Sequence, residues 1–139
     1  MVKKRSNFMT NLNHPPQLKY SKTDEWVRVE GDQAYIGITD YAQDQLGDIV
    51  YIELPWQGGN TITVGEKFGD VESVKATSEL LAPLNGVVVR ANEELKDHPE
   101  FINDDPYGKG WILLVKMSDM AQLGNLMDVD GYLAYLQGR

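Results

Sequence analysis

The spacing of turn signals is what most constrains the fold of this chain. From Lys19 onward, glycine- and proline-bearing steps recur at Gly31-Asp32, Gly47, Pro55, Gly58-Gly59-Asn60, Gly65-Glu66 and Pro83-Leu84-Asn85-Gly86. Long helices do not fit between breaks set so close, whereas short strands do. The intervening segments are strand-like. Trp26-Val27-Arg28-Val29 and Ala34-Tyr35-Ile36-Gly37-Ile38 flank Gly31-Asp32 and predict a hairpin. Ile49 to Leu54 is β-branched and aromatic until Pro55 ends it, and Thr61–Val64, Phe68–Ser73, Glu79–Ala82, Val87–Ala91 and Trp111–Lys116 continue the series. One short helix is expected over Tyr41–Leu46, capped by Thr39 or Asp40 and stopped by a left-handed Gly47. After Ser118, Met120, Leu123 and Met127 and then Tyr132, Leu133, Tyr135 and Leu136 recur at helical spacing. Gly124 and Gly131 divide that pattern into two short helices. The polar stretch from Glu93 to Gly110 reads as a loop. Parallel βαβ units need regular helices between strands, which this pattern lacks. The expected architecture is mainly β, a flattened barrel or sandwich hybrid with a short internal helix and C-terminal helices.

The length of 139 residues suits one domain. Residues 1–17 read as a flexible N-terminal extension ending at Pro15-Pro16, and residues 18–139 as the domain. Lys3, Lys4 and Arg5 resemble the charged start of a signal peptide, but Ser6, Asn7 and Thr10 interrupt the apolar run that should follow. Thirteen basic against twenty-one acidic side chains leave a formal charge of −8, which argues against binding along nucleic-acid phosphates. No apolar stretch approaches the ~20 residues of a membrane helix. With no cysteine, thiolate metal sites and cysteine nucleophiles are excluded, and only His14 and His98 offer imidazoles. Asn103-Asp104-Asp105 begins like a calcium loop, yet the twelfth position is Leu114 instead of the required Glu. Gly108-Lys109-Gly110 lacks the spacing of a phosphate loop. No self-contained active site is expected.

One residue stands apart. Lys75 lies between two strand segments that must reverse around it, in Val71-Glu72-Ser73-Val74-Lys75-Ala76. Read plainly, it is a charged residue on a solvated hairpin. Read functionally, a hairpin tip projects the four-carbon stem of lysine away from the fold, so a group amide-linked to its nitrogen would swing widely.

The segment Val71-Glu72-Ser73-Val74-Lys75-Ala76-Thr77-Ser78-Glu79, followed by Ala82-Pro83-Leu84-Asn85-Gly86, resembles the lipoylation segment of the glycine cleavage system H proteins. The likeness continues in order through Leu18-Lys19-Tyr20-Ser21, Glu25-Trp26, Gly37-Ile38-Thr39-Asp40-Tyr41-Ala42-Gln43, Leu46-Gly47-Asp48-Ile49-Val50, Leu54-Pro55, Asp105-Pro106-Tyr107 and Gly110-Trp111. It spans about Leu18 to Leu136. The resemblance implies a fold of the lipoyl/biotinyl-carrier type and a carrier in place of an enzyme, with (R)-lipoate amide-linked to Lys75. It also implies three enzyme partners: glycine decarboxylase, which loads the aminomethyl group; aminomethyltransferase, which unloads it; and dihydrolipoyl dehydrogenase, which reoxidises the dithiol. A lipoate-attaching enzyme is a fourth partner. The missing cysteines agree with this division of labour, since the reactive sulfurs arrive on the cofactor.

In the family the loaded arm folds into a surface cleft. The positions matching its carboxylate contacts are Glu25 and Glu79, with Ala42, Gln45 and Leu46 of the short helix along the same cleft. Ser73 and Ser78 are expected to stabilise the turn. Two departures stand out: Asp24 occupies a place where the family usually has His, and Gln45 replaces a histidine found in some members. Trp26 and Trp111 are expected in the core, Trp56 at the surface, and Met120, Leu123 and Met127 along a core-facing stripe. A shuttling carrier suggests a monomer, acting in the cytoplasm, or in the mitochondrial matrix if the source is eukaryotic. A lipoyl-relay protein that donates lipoate elsewhere, or a structural β-domain whose lysine is never modified, would show the same residues around Lys75. A biotinyl carrier is disfavoured because Val74 and Ala76, not methionines, flank the lysine.

Overall fold

Alternating residues around Gly31-Asp32 pair as the hairpin spacing requires. Strands β2 (Glu25–Glu30) and β3 (Gln33–Ile38) run antiparallel, with Glu25 opposite Ile38 and Val27 opposite Ile36. The computed structural model describes residues 12–139. Its remaining elements are β1 (Lys19–Tyr20), α1 (Asp40–Leu46), β4 (Ile49–Glu53), β5 (Thr61–Ile62), β6 (Lys67–Ser73), β7 (Thr77–Leu81), β8 (Gly86–Ala91), α2 (Phe101–Asp104), β9 (Leu113–Met117) and α3 (Val129–Gln137). Short 3₁₀ turns cover Glu93–Lys96 and Met120–Asn125. One sheet has the order β1-β2-β3-β9-β8-β5 and the other β4-β6-β7, with all strand pairs antiparallel. This is the mainly-β sandwich with few short helices that the turn spacing leads one to expect.

The two sheets share one apolar core. Val27, Ile36, Val88 and Val115 from the larger sheet belong to the same buried cluster as Ile52, Val71 and Leu80 from the smaller one. A second cluster sits outside it, where α3 covers β1 and the start of β2: Leu18, Tyr20, Trp26, Tyr132 and Leu136. Tyr20 and Tyr132 stack at 4.7 Å, nearly parallel. The Trp26 indole is fully buried and its Nε1 donates to the Pro106 carbonyl at 3.1 Å. That close packing requires Gly37 opposite, since a Cβ there would lie 2.6 Å from the indole ring.

Several local expectations are revised. The loop expected over 93–110 contains the first 3₁₀ turn and α2, which bury Leu95 and Ile102 completely or nearly so. One-turn elements are too short to express a helical period in sequence. Met120 is not part of the core: it is 48 % exposed, because 3₁₀ geometry rotates side chains differently from the 3.6-residue period. Trp111 is half-buried, its ring meeting Tyr35 edge-on and lying under the Arg90 guanidinium. Trp56 is half-buried against the core with the Lys96 ammonium 4.9 Å from its ring centre. Only Thr61 and Ile62 of the Thr61–Val64 segment pair as a strand. The extension expected over residues 1–17 lies mostly outside the described residues. Its described end packs on the domain: Asn13 N–H donates to Asp40 Oδ2 at 2.8 Å, Tyr20 hydroxyl donates to the Pro15 carbonyl at 2.6 Å, and His14 is buried edge-on to both tyrosine rings.

Candidate functional site

Strands β6 and β7 pair from Lys67–Leu81 outward to Glu72–Thr77, and the residues left at the tip are Val74, Lys75 and Ala76. Ser73 closes that tip. Its N–H donates to the Ala76 carbonyl at 2.8 Å, and its Oγ accepts from the Lys75 and Ala76 N–H groups at 3.3 and 3.1 Å. The Val74 N–H donates to the Asp48 carbonyl at 3.0 Å, tying the tip to the segment before β4. The backbone is therefore held while the side chains are not: Lys75 is exposed and Val74 is 70 % exposed. Among the described residues no carboxylate lies within ion-pair reach of the Lys75 ammonium. Its stem passes Gly47, where a Cβ would sit 3.5 Å from Lys75 Cε.

Gly47 ends α1, the helix that forms one wall of a neighbouring cavity of about 290 Å³. Thr39 starts that helix; its hydroxyl accepts from the Ala42 N–H at 3.1 Å. Gly47 has the positive φ expected of it, 80°, with an extended ψ of −160°, a conformation open to glycine. Ala42, Gln45 and Leu46 line the cavity from α1, and Ser78 and Glu79 line it from β7. Lys75 does not line it but stands beside it, joined through β7 and through Gly47. Ser78 thus faces the cavity, and the turn bonds come from Ser73.

Glu25 belongs to the same cavity and differs from every other carboxylate there. It is only 1 % exposed. Its Oε1 accepts from the hydroxyls of Ser21 (2.8 Å) and Thr23, and its Oε2 accepts from the Leu81 N–H at 3.2 Å. Among the described residues no Lys or Arg pairs with it. Burial pushes its carboxyl up to about 7, against the pull of those donors, and the one guanidinium lining the cavity, that of Arg139, is paired elsewhere. A buried carboxylate with its neutral donors in place and no countercharge is suited to receive a small organic cation, because a charge-assisted contact out of water is strong. The cavity has roughly the volume of ten water molecules, enough for the end of such a group.

Two residues have contacts here that the sequence did not announce. Asp24, at φ 73°, places Oδ1 where Arg139 Nη1 (2.6 Å) and the Tyr132 hydroxyl (2.9 Å) both donate to it. Tyr132 in turn contacts Thr39 Oγ1 at 2.8 Å, connecting the cap of α1 to the far end of the chain. Asn103 is the other surprise. Its Oδ1 accepts from Ile49 N–H, and its Nδ2 donates to Gln43 Oε1 and the Gly47 carbonyl, each at 2.9 Å. What read as a failed calcium loop fastens the end of α1. His98 is exposed and bonded to Glu100 at 3.0 Å, away from the cavity. Among the described residues no group of three or more His, Asp or Glu is placed to hold a metal.

Comparison with known proteins bears on this arrangement. Residues 18–139 match a family model described as glycine cleavage H-protein. The glycine cleavage system H protein of Geobacillus kaustophilus (strain HTA426) is 52 % identical over 125 residues, covering 90 % of this chain and 98 % of that protein. The protein of the same description from Bacteroides fragilis is 50 % identical over 123 residues, or 88 % of this chain and 97 % of its own. The crystal structure of a glycine cleavage system H protein from Mycobacterium marinum superposes with a TM-score of 0.79 at 35 % identity, over 91 % of this chain and 100 % of that one.

Proposed function

Because the chain belongs to the glycine cleavage H-protein family, we propose that Lys75 carries the lipoyl group and that the cavity floored by Glu25 shelters the loaded arm. The protein is a non-catalytic lipoyl carrier of the glycine cleavage system, serving the decarboxylase, aminomethyltransferase and dihydrolipoyl dehydrogenase of that system. When bound, the lipoyl group supplies the sulfurs that accept the aminomethyl unit of glycine, yield it for transfer and pass electrons onward. This chain supplies what the sulfurs cannot: a handle, a shelter and a countercharge.

The observation that carries the site assignment is a contrast in one small region. An exposed lysine without an ion-pair partner among the described residues stands beside a cavity whose buried carboxylate also has none. Lys75 extends the arm, and Gly47 leaves its stem room. Ala42 and Leu46 offer apolar wall to the arm, and Gln45 a neutral amide. Glu25, with Glu79 nearer the mouth, holds the ammonium of the cargo and keeps water from it. We take residues 18–139 as the carrier domain. The quoted relatives are bacterial, and the cytoplasm is the place of work that goes with them. No helix among the described residues is long and apolar enough to cross a membrane.

Intact-mass and peptide analysis after incubation with lipoate and a lipoate-attaching enzyme tests the assignment. A lipoyl increment confined to Lys75 is expected, and an increment at any other lysine, or none, overturns it.

A further inference from the structure

The cavity holds one carboxylate more than a cation acceptor needs. Glu25, Glu79 and Asp24 all line it, and Arg139 is the single cationic side chain among the lining residues. Asp24 and Glu25 are sequence neighbours, so a cation entering the cavity meets two adjacent carboxyl groups. They are in different states. Glu25 is satisfied by neutral donors only, whereas Asp24 Oδ1 is taken by the Arg139 guanidinium and the Tyr132 hydroxyl. The guanidinium is itself placed by two rings, 5.1 Å from the Tyr41 centre and 5.0 Å from that of Tyr135. Asp24 retains 14 % and Arg139 32 % of side-chain exposure, so the pair is partly shielded from water. The turn that presents Asp24 is fixed too: its N–H donates to Ser21, and its carbonyl accepts from the Thr39 N–H at 3.0 Å.

We propose that Arg139 is a positioning residue of the carrier: by occupying Asp24 it withdraws a rival carboxylate from the cavity and directs an incoming ammonium to Glu25. This rests on the reading of the cavity as the arm's shelter. The chemistry favours such a device. An unmasked Asp24 beside Glu25 would offer the ammonium a second, more exposed seat, from which the cargo stays open to solvent. It would also crowd negative charge against Glu25, whose proton affinity the Asp24 charge already raises. The groups that face Glu25 across the cavity are Asp24 and Thr23 from its own turn, Glu79 from β7 and Arg139 from beyond α3; α1 contributes Tyr41 and the neutral Gln45.

Breaking the pair from either side shifts Glu25 in opposite directions if both charges act on it, and the response to loading then separates positioning from a merely structural pair. In the full-length, unlipoylated protein, carboxyl-carbon NMR titration of Glu25 is compared among wild type, D24N, R139Q, R139K and the double variant. Asn is suited to the positive φ of position 24 and still accepts from Tyr132. D24N leaves an unpaired guanidinium and lowers the Glu25 midpoint, whereas R139Q bares Asp24 and raises it, each by about threefold in proton affinity. The double variant returns near wild type, and R139K, which keeps the charge, stays there. The lipoylated, aminomethyl-loaded protein supplies the second readout: loading moves the Glu25 resonance but not that of Asp24 in wild type, and moves both in R139Q. Shifts of the same sign in D24N and R139Q, no shift, or a loading response at Asp24 in wild type overturns the proposal. The titration needs no lipoyl group, so it can fail while Lys75 is lipoylated as expected, and the carrier assignment can fail while the titration behaves.

Discussion

The β6–β7 tip and the cavity floor lie side by side but are built on opposite plans. At the tip, Ser73 and the Asp48 carbonyl hold the backbone of residues 73–76, and the side chains of Val74, Lys75 and Ala76 are left to solvent. At the floor, the side chain is what is fixed: Glu25 is enclosed, with Ser21, Thr23 and Leu81 donating to it. On the proposed reading, the difference teaches how a small carrier divides its task between two neighbouring places. Reach requires a stiff base under a free stem, whereas retention requires a charged group already stripped of water and oriented before its partner arrives.

The sharpest way to break this contrast is at the tip. Lys75→Arg retains length and charge at an exposed position but lacks the amine proposed to be acylated. It is expected to abolish glycine-dependent bicarbonate exchange in the reconstituted system, while the thermal melting midpoint stays that of wild type. Retained exchange, or a collapsed melt, would contradict the division just drawn. The scaffold beneath the floor should behave in the reverse way. Trp26→Ala removes a fully buried indole and is expected to cost about 3–5 kcal/mol in denaturant unfolding without altering the chemistry of Lys75.

Glu25 supplies a pH signature that the tip lacks. Its carboxyl titrates at about 7 in the folded chain against an ordinary 4.5, so the native state holds its proton more tightly than the unfolded one. Its stabilising contribution is complete below pH 4.5 and is lost as pH rises to about 7, a fall of about 3 kcal/mol. Urea titrations at pH 5 and pH 7.5 should show that slope in wild type and its absence in Glu25→Gln. The same variant should accept lipoate normally yet release the loaded cargo sooner; an unchanged lifetime would remove Glu25 from the shelter. His14 is buried and its proton affinity lowered by burial, so its contribution has the other sign, lost as pH falls below 6.5. The smallest expected effect is at the base of the tip: Ser73→Ala keeps the backbone bond to Ala76 but loses the Oγ bonds of the turn, and should cost about 0.5–1.5 kcal/mol. Hydrogen exchange at Lys75 and Ala76 would accelerate while that at Leu81 would not.

How much of this was readable in the chain depends on the distance between partners. The β2–β3 hairpin is written in alternation around Gly31-Asp32, and the Thr39 cap in the three residues it serves. Local chemistry of that kind survives in sequence. The grouping of Glu25, Ala42, Gln45, Leu46 and Glu79 came from an ordered resemblance, and these residues do line one cavity. Nothing local announces that Glu25 is buried, because it stands where the polar run 21–24 meets the apolar Trp26-Val27. The hydroxyls of Ser21 and Thr23, four and two positions before Glu25, were the available hint of a donor set aimed at one carboxylate. Arg139 and Asp24 are 115 positions apart and share no pattern, so their pairing has no sequence signal at all. Met120 shows the opposite failure, in which a helical spacing was present and the 3₁₀ backbone overruled it.

Asn103 bears on what can be transplanted. It reaches Gln43, Gly47 and Ile49 from 60, 56 and 54 positions away. A graft of the lysine hairpin onto a foreign β scaffold would bring the hook and leave the harbour behind. The harbour wall is moored by a rope made fast on a distant quay, and any redesign that trims the excursion between β8 and β9 as spare cable would cast that wall adrift.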